Sequence, residues 1–500
     1  MKPNSTETLA LLKSAQGAPD EALTGELANP LAKAGITTGT GLVAYDLQAP
    51  ALSLFPVLSP LRNIIPRVKG SGGTATNWKA VTAINTQMID VSVSEGNRGA
   101  KVTTNVQNYV AAYKAIGLED SVSFEADFAA QGFQDVKATA ALNLLRAVMI
   151  GEEFVLLNGN ASNPLGTTPT PTLVASAAGG TMATQSAASV ICVALTPDGF
   201  RRSSVAAGLP AAAIAKVNVD GSTDTINPGV AIRSANATVA VTGATGSIAA
   251  SVVPVPGAVA YAWYVGGTAT TEKLAAITTI NSVVLTAYAT TTQLASALSA
   301  GDLSANGATF DGLLSFATKA GSGAYLRALG TGAAGTGTPL TSDGAGNIAE
   351  IVTALQYFWD NYRLSPTDIW VSAQESVNIT RKIIANGGAP LYRLTQEASG
   401  IHQVTGGVRV NGLLNPITNT MVNVNIHPNQ TPGTILFTTT EIPYPMNGVG
   451  NVMQVKCRRD YYQLEWPLKT RAYEYGVYAD QVLQHYATFS LGVIYNAANG

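Results

Sequence analysis

The sequence predicts an α+β fold whose mixed body is interrupted by an all-β insertion. In residues 124–158, apolar side chains recur mostly every three to five residues, as in a long amphipathic helix. Residues 164–303 hold few charges and several short β-prone runs separated by turn residues. Residues 49–66 and 68–112 carry large apolar side chains on stretches that read as extended. Together these patterns predict two to four units in place of one closed domain.

The composition indicates a folded protein with few surface charges. The chain has 500 residues, of which 46% are hydrophobic and 12% charged, against roughly 25% charged in an average protein. A disordered chain has the opposite balance. The net charge of −2 and the pI near 6.0 argue against a dedicated nucleic-acid binder, which carries a basic face. An uncharged surface is available for burial against partners.

Residues 1–66 are predicted to form an N-terminal arm. Four prolines occur among the large apolar residues of 49–66, and proline prevents both regular helix and central strand. The apolar side chains still need burial, which an extended arm finds on another surface such as a neighbouring subunit. The first ten residues lack the apolar core of a signal peptide, and no apolar run has the roughly 20 residues of a spanning helix. We therefore expect synthesis in the cytoplasm and no membrane partner.

Residues 67–115 are predicted to form a long β-hairpin. Residues 74–81 alternate between apolar and polar side chains, residues 109–113 fit a return strand, and residues 94–99 form a strong turn pattern. A lone two-stranded ribbon is not stable in water. We therefore expect the hairpin to project from the body and to lie on a sister copy.

The rest of the chain divides into four further predicted units. The insertion is expected to be a β-sandwich, because its strands are short, alternate in polarity and are separated by turns. Within the unit that follows it, we expect helices at 348–362 and 373–386 around a strand at 368–372. A strand is also expected at 408–410. The four units are 116–165 with the long helix, 190–300 as the inserted sandwich, 305–440 as a mixed α/β domain, and 441–500 as returning strands.

Motifs that carry chemistry are missing from the sequence. It contains no phosphate-binding P-loop, nucleophile elbow or H-E-x-x-H pair. A G-x-G-x-x-G pattern at 330–335 runs on into further Gly and Pro, so it predicts a flexible loop. Cys192 and Cys457 are too few and too far apart for a disulfide framework or zinc site and are expected to be free, buried thiols. We expect no enzyme activity, catalytic residue, cofactor or metal.

The isolated polar residues are predicted to have structural roles. The three histidines, His402, His427 and His485, are predicted to lie at the surface or an interface. Glu152 and Glu153 face different directions on a helix and are expected to form salt bridges or meet solvent, because they do not converge. A basic-aromatic cluster could contact DNA, although strand alternation would divide it between two faces, which favours ion pairing or solvent. That cluster consists of Lys456, Arg458, Arg459, Tyr461 and Tyr462.

Several stretches, taken in order, resemble the major capsid protein of tailed bacteriophages, the Hong Kong 97-type fold. LSPLRNIIPRV followed by GSGGTATNWKA is similar to the passage from N-arm to extended loop. IGEEFVLLNGNASNPLG resembles the end of the spine helix of the peripheral domain. DIWVSAQESVNITRKIIANGGAPLY is similar to the strand and helix of the axial domain, and TILFTTTEIPYP to the return towards the peripheral domain. PVPGAVAYAWYVGG resembles a strand of immunoglobulin-like modules, so the insertion is expected to be immunoglobulin-like.

The resemblance implies a structural role. It implies homo-hexamers and pentamers that form an icosahedral head around double-stranded DNA, with portal, scaffolding and decoration proteins as partners and weak contact with the DNA. It implies a location in the virion and in the host cytoplasm before assembly. The assembly contacts that we expect from it are Leu54, Phe55, Leu61, Arg62, Ile64, Ile65, Trp78, Lys79, Arg98 and Lys101.

Two departures and two alternatives accompany this resemblance. The insertion at 190–300 exceeds the usual body and would lie on the shell exterior, and the short stretch before the arm implies a separate scaffold or a very short one within 1–34. Lys79 and Lys101 could donate the lysine of an intersubunit Lys–Asn crosslink, but no motif supplies the Asn or Glu. An encapsulin-type shell with an enzyme cargo is one alternative. A surface adhesin is the other, although it predicts a secretion signal and repeated modules that the sequence lacks.

Overall fold

The computed structural model describes residues 58–499, with gaps at 71, 85–90, 100, 102–103, 131–134, 219, 386–391, 397–401, 407–408, 445–447, 449 and 469. Most of the predicted N-terminal arm, including Leu54 and Phe55, lies outside the described residues.

The described residues form a mixture of helices and strands, in agreement with the α+β class that the sequence predicts. The helices are α1 Pro60–Ile64, α2 Phe124–Ala129, α3 Val136–Asn158, α4 Pro197–Arg202, α5 Leu313–Thr318, α6 Ala349–Tyr362 and α7 Ala373–Ala385. The strands are β1 Arg67–Lys69, β2 Ala75–Ile84, β3 Thr104–Ala112, β4 Lys114–Ser123, β5 Thr172–Ser176, β6 Gln185–Leu195, β7 Ile214–Val217, β8 Thr223–Ile226, β9 Ala237–Val241, β10 Ser247–Ser251, β11 Ala260–Gly266, β12 Lys273–Thr278, β13 Ser282–Leu285, β14 Tyr325–Ala328, β15 Asp368–Val371, β16 Tyr392–Gln396, β17 His402–Gly406, β18 Gly412–Leu414, β19 Met421–Ile426, β20 Ile435–Thr438, β21 Met453–Glu465, β22 Ala472–His485 and β23 Gly492–Tyr495.

A four-stranded sheet joins the two ends of the described chain. Its order is β1-β21-β22-β4, in which β1 runs parallel to β21 and the other neighbours are antiparallel. We call it the peripheral sheet. The helix α3 covers one of its faces, where Leu144 and Val148 pack against Val122, Tyr475 and Val477. Early and late strands therefore share one core, so this unit forms only when both parts of the chain are present.

The long helix predicted at 124–158 begins later than expected. A short helix, α2, is capped by Ser123, and α3 starts again at Asp135, whose side chain accepts a hydrogen bond from the backbone N–H of Ala138 at 2.9 Å. An aspartate cap stabilises a new helix start and so competes with one continuous rod. The 23 residues of α3 span about 35 Å. The helix ends at Gly159, where a Cβ would lie 2.3 Å from the carbonyl oxygen of Phe310.

The predicted hairpin is formed by β2 and β3, paired from Ala75–Ala112 to Ile84–Thr104. The expectation that the hairpin projects from the body is wrong for β2, which lies on the chain's own body. The backbone N–H of Val81 donates to the carbonyl of Tyr486 at 2.9 Å, and Val81 and Ile84 pack against the second core described below. Every second side chain of β2 packs on the body. The body therefore buries the apolar face that we expected a sister copy to bury.

In the charge-poor region, strands between Thr172 and Leu285 form a β-sandwich of two antiparallel sheets around a common core. One sheet has the order β13-β10-β5 and the other β12-β11-β6-β9. Trp263 and Ile248 lie between them, and Leu209 and Leu298 cover the outer face of the four-stranded sheet. The strands begin at Thr172 and not near 190, because β5 and the first half of β6 belong to the sandwich.

A buried pair of amides joins the sandwich to the next domain. The side chain of Asn496 donates to Oδ1 of Asn281 at 3.0 Å, and its own Oδ1 accepts from the backbone N–H of Asn281 at 2.7 Å. Asn496 also donates to the carbonyl of Leu329, and Asn281 to Oγ1 of Thr331. Both asparagines are almost fully buried. The insertion is therefore fixed to its neighbour by paired polar groups.

The third unit is a six-stranded mixed sheet with the order β14-β23-β20-β15-β19-β18. Its core, the second core of the chain, includes Ile351, Leu355 and Phe358 of α6. The predicted helices and the strand between them are confirmed as α6, β15 and α7. Of the strand expected at 408–410, residue 408 lies outside the described residues, and residues 409 and 410 are not in a strand, since β18 covers Gly412–Leu414.

Two minor predictions are confirmed. Cys192 and Cys457 are free and buried, and burial raises the pKa of the Cys457 thiol to about 11. The glycine pattern at 330–335 forms a loop without a following helix. This loop packs on the sandwich, where a Cβ at Gly335 would lie 3.1 Å from Val284.

Candidate assembly surface

The hairpin is attached to the body by a group of aromatic rings, which we call the hairpin root. Trp78 and Tyr109 are opposite each other on β2 and β3, and their rings stack at 5.5 Å. Phe316 of α5 meets both rings edge-on, at 6.3 Å and 5.7 Å. The Trp78 indole N–H donates to the carbonyl of His485 at 3.0 Å. These contacts fix the near end of the hairpin while its outer face stays exposed, with Val110 at 70%.

His485 lies fully buried beside the hairpin root, which corrects the surface or interface position predicted for it. Its ring is 6.4 Å from that of Phe316, and neither ring nitrogen has a hydrogen-bond partner among the described residues. Burial lowers the pKa of His485 to about 3, so the ring is neutral at physiological pH. An unpaired buried polar group costs stability. The unpaired ring of His485 therefore offsets part of the stability that the apolar contacts of the hairpin root provide.

A second feature anchors the last residues of the segment predicted as the arm. We call it the carboxylate junction: Glu152 and Glu153 near the end of α3, with the polar groups around them. One oxygen of Glu153 accepts the backbone N–H of Leu61 at 2.8 Å and the other that of Arg62 at 2.9 Å. These are free N–H groups of the first turn of α1, where a carboxylate is stabilising. Glu153 thereby attaches α1 to α3.

His427 completes the surroundings of Glu153 and is also buried, not at a surface or interface. Its Nε2 lies 2.7 Å from Oε1 of Glu153, and its Nδ1 accepts the backbone N–H of Asn429 at 3.1 Å. Because Nδ1 is an acceptor, the proton is on Nε2 and is donated to the carboxylate. Both ring nitrogens of His427 therefore form hydrogen bonds within the fold.

Glu152 faces away from Glu153 and has different partners. It forms ion pairs with Arg62, at 3.3 Å, and with Arg67, and it accepts hydrogen bonds from Tyr461 and from Gln481, the latter at 2.7 Å. Burial would lower the pKa of Arg67, but Asp460, 2.6 Å away, and Glu152 raise it above its ordinary value. The two glutamates do not converge, and Glu152 forms salt bridges, as the sequence predicts, whereas Glu153 is held by hydrogen bonds and both side chains are fully buried.

The residues predicted as assembly contacts fall into two groups. Leu61, Ile65 and Trp78 are covered within the chain, and Arg62 belongs to the carboxylate junction. The exposed members are Ile64, Lys79, Arg98 and Lys101. Their role in contacts between copies stays a prediction, and the exposed group is the one with side chains free to meet a partner surface.

Other exposed apolar side chains were not predicted. On the described part of the hairpin tip, Val91 is 81% exposed and Val93 49%. At the outer edge of the peripheral sheet, Phe128 of α2 is 74% exposed, and Leu118 and Leu142 are nearly half exposed. Strand β4 is the edge strand there, so backbone groups on its free side also face outwards. We call these two regions the tip and the edge.

Among the described residues, no group of three metal-ligating side chains comes together, and no helix has the length and apolarity to cross a membrane. The carboxylates of the junction are already saturated by N–H and O–H donors. The geometry of this region is that of an anchor and an exposed contact surface.

No protein-family model and no curated protein matches the sequence. Among solved structures, the chain is similar to a capsid protein of cyanophage A-1(L), with a TM-score of 0.42, 9% identity, and 89% of this chain and 94% of that chain covered. It is similar to the capsid of the native GTA particle, with a TM-score of 0.39, 9% identity and coverage of 88% and 90%. It is also similar to the SrpI encapsulin complex from Synechococcus elongatus PCC 7942, with a TM-score of 0.34, 10% identity and coverage of 91% and 97%. These likenesses are distant, and the solved structures concerned are mainly phage capsids.

Proposed function

We propose that this chain is a major capsid protein whose copies assemble into hexamers and pentamers of an icosahedral head around double-stranded DNA. One observation carries the proposal. The chain closes its cores within itself, yet leaves large apolar side chains exposed on the hairpin tip and on the outer edge of the peripheral sheet. Exposed apolar groups on extended elements mark surfaces that are buried by a partner.

The composition supports the same conclusion. Charged residues make up 12% of the chain, about half the usual share. Long stretches of the sandwich carry no charge, for example residues 234–271. Such a surface is poorly suited to keeping a protein monomeric at high concentration. In a closed shell, each weak contact is repeated many times, and the assembly is stable although single contacts are not.

We further infer how the described elements serve such a shell. Residues 58–66 would lead the arm away from the carboxylate junction, and the hairpin would act as the extended loop that overlaps a sister copy. The peripheral sheet with α3 would be the peripheral domain, and the six-stranded sheet the axial domain around a symmetry axis. The sandwich would be an immunoglobulin-like insertion on the exterior. Portal and scaffolding proteins are the partners that such a head requires.

Electron microscopy of the purified full-length chain tests the proposal. We expect closed particles of uniform diameter. Replacing Val91→Ser and Val93→Ser together should reduce particle yield at least tenfold, because the tip loses its apolar contact with a sister copy. The matched control is Val253→Ser, which removes an equally exposed valine, 69% accessible, from the sandwich and should leave the yield unchanged.

Two results would contradict parts of the proposal. A chain that stays monomeric at every concentration would exclude a shell protein. Particles from the native source that contain a protein cargo and no nuclease-protected DNA would identify an encapsulin-type compartment instead of a phage head.

A further inference from the structure

The open face of the peripheral sheet carries a row of aromatic rings. The hairpin covers one end of this face, where Gln484 near the end of β22 donates to Oγ1 of Thr76 at 3.0 Å. The rest of the face carries Tyr462, Tyr478 and Trp466, which are all partly exposed. The centroids of Tyr462 and Tyr478 are 6.0 Å apart, with planes 29° from parallel, and those of Trp466 and Tyr478 are 6.2 Å apart. We call these three rings the ring row.

Two glycines let the ring row lie flat on the strands. A Cβ at Gly117 would come within 2.2 Å of the Tyr478 ring, and a Cβ at Gly476 within 2.6 Å of the same ring. Any larger residue would lift the ring from the sheet. The result is a row of ring faces without a deep pocket between them.

Two irregularities in β21 bring a cation to the ring row. The register shifts between Cys457 and Arg459 and again between Arg459 and Tyr462. Consequently Arg459 and Tyr462 share the open face, while Tyr461 points to the other face and contacts Glu152. The basic-aromatic cluster is divided between two faces, as predicted, but simple alternation would separate Arg459 from Tyr462, and the bulge places them on the same face.

The charges near the ring row leave Arg459 available. Its guanidinium lies 4.0 Å from the centre of the Tyr462 ring and has no carboxylate partner among the described residues. Of the nearby carboxylates, Asp480 pairs with Arg458 at 2.8 Å, Glu119 accepts the Tyr478 hydroxyl, and Glu474 lies beside Trp466. A cation held over a ring face suits an anionic partner with flat groups.

We propose that the ring row and Arg459 bind single-stranded nucleic acid. One or two bases would stack on the partly exposed rings of Tyr478 and Trp466, and Arg459, which lies over the Tyr462 ring, would meet a backbone phosphate. A sheet with one face packed on a helix and aromatic rings on the other is a known platform for unpaired bases, and stacking of this kind tolerates any base sequence. The site does not depend on shell formation, so the proposed function and this inference can fail separately.

A sister copy is the other occupant to consider for this face. Protein contacts of high energy usually insert an aromatic or Arg side chain into a pocket. The ring row offers flat faces instead, and its cation lacks a carboxylate. Both features favour bases and phosphates over a second copy of the chain.

Fluorescence anisotropy of a labelled 15-nucleotide oligo-dT tests the inference on the full chain, taken from the unassembled fraction. We expect saturable binding that weakens with salt and is at least about tenfold tighter than binding to a duplex of the same length, whose bases cannot stack on the rings. Tyr462→Leu and Arg459→Gln should each weaken oligo-dT binding about tenfold, and Tyr462→Phe should keep it.

The matched control is Arg363→Gln, which removes another exposed arginine beside an aromatic ring, 5.9 Å from Trp359. It should leave oligo-dT binding unchanged. Equal binding by wild type, Tyr462→Leu and Arg459→Gln would overturn the inference, as would equal affinity for duplex and single strand. If these variants bind the oligonucleotide normally but no longer form particles, the ring row is a contact between copies and the inference is wrong.

Discussion

Two buried polar joints hold this chain together, and they are built from different chemistry. The carboxylate junction uses charged groups, with Glu152 between Arg62 and Arg67 and Glu153 on backbone N–H groups and His427. The joint between the sandwich and the six-stranded sheet uses the neutral amides of Asn281 and Asn496. A buried charge that loses its partner costs more than a neutral group does. Residues Leu61, Arg62 and Arg67 are therefore held by a joint that is strong only while every member is present.

Breaking the charged joint should have the largest effect. Replacing Glu152→Gln leaves two arginines without their buried counter-ion, and we expect the free energy of unfolding to fall by about 3–5 kcal/mol. Urea denaturation measures it. The control is Glu125→Gln, which removes one partner of the exposed pair with Arg471 and should cost less than about 1 kcal/mol. If both variants lose the same free energy of unfolding, the charged joint stabilises the fold no more than an exposed ion pair does.

Acid should act next most strongly, through the unpaired ring of His485. The pKa of this ring is lowered to about 3 in the fold by burial, and an unfolded histidine titrates near 6.5. At a pH between these two pKa values, the unfolded chain binds a proton on this histidine and the folded chain does not. The free energy of unfolding therefore falls as the pH falls from about 6.5 towards 3.

The predicted slope is about 1.4 kcal/mol per pH unit from this group alone. His485→Leu should remove it, so denaturation midpoints of the variant should change less with pH than those of the wild type. Parallel curves for the two proteins would show that His485 is not neutral and buried in the fold.

The neutral joint should respond more weakly and without pH dependence. Asn496 has a positive φ of 64°, which glycine also adopts freely. Asn496→Gly therefore removes the amide hydrogen bonds without adding strain, and we expect a loss of about 2 kcal/mol. The cost should be the same at pH 6 and pH 8.

Asn419→Gly provides the matched control for that change. Asn419 is exposed and also has a positive φ, of 56°, so its replacement should change the free energy of unfolding by only a few tenths of a kcal/mol. A similar loss at both positions would mean that the joint adds nothing to stability.

The edge should have the smallest effect on the isolated subunit. Phe128→Ser removes a ring that is 74% exposed, so the free energy of unfolding should change by less than about 0.5 kcal/mol. Particle yield should nevertheless fall, because the proposed shell would bury the ring between copies. A loss above about 2 kcal/mol in the unassembled chain would show that the ring is already covered within one subunit.

The sequence predicts much of the secondary structure because periodicity reports local burial. The helices α6 and α7 and the strand β15 follow directly from their apolar spacing. The same rule could have located the carboxylate junction. Leu144, Val148, Glu152 and Leu156 recur at intervals of four, so Glu152 occupies a core position of α3. A charge on an apolar stripe predicts buried partners, although periodicity cannot say which ones.

Contacts between distant parts of the chain could not be predicted in this way. The docking of β2 on Tyr486 joins residues about 400 positions apart, and the bulges in β21 change faces without a proline or glycine to mark them. The ring row and the root of the hairpin depend on such contacts. Local patterns give the faces of each element, and tertiary packing decides which faces meet.

Sedimentation velocity of the purified chain over a range of concentrations tests the central claim most directly. The account predicts a fast-sedimenting, uniform particle built from many copies of the 51.4 kDa chain, in equilibrium with small amounts of subunits or capsomers. A single species of 51.4 kDa at every concentration, with the tip and the edge exposed to solvent, would contradict it.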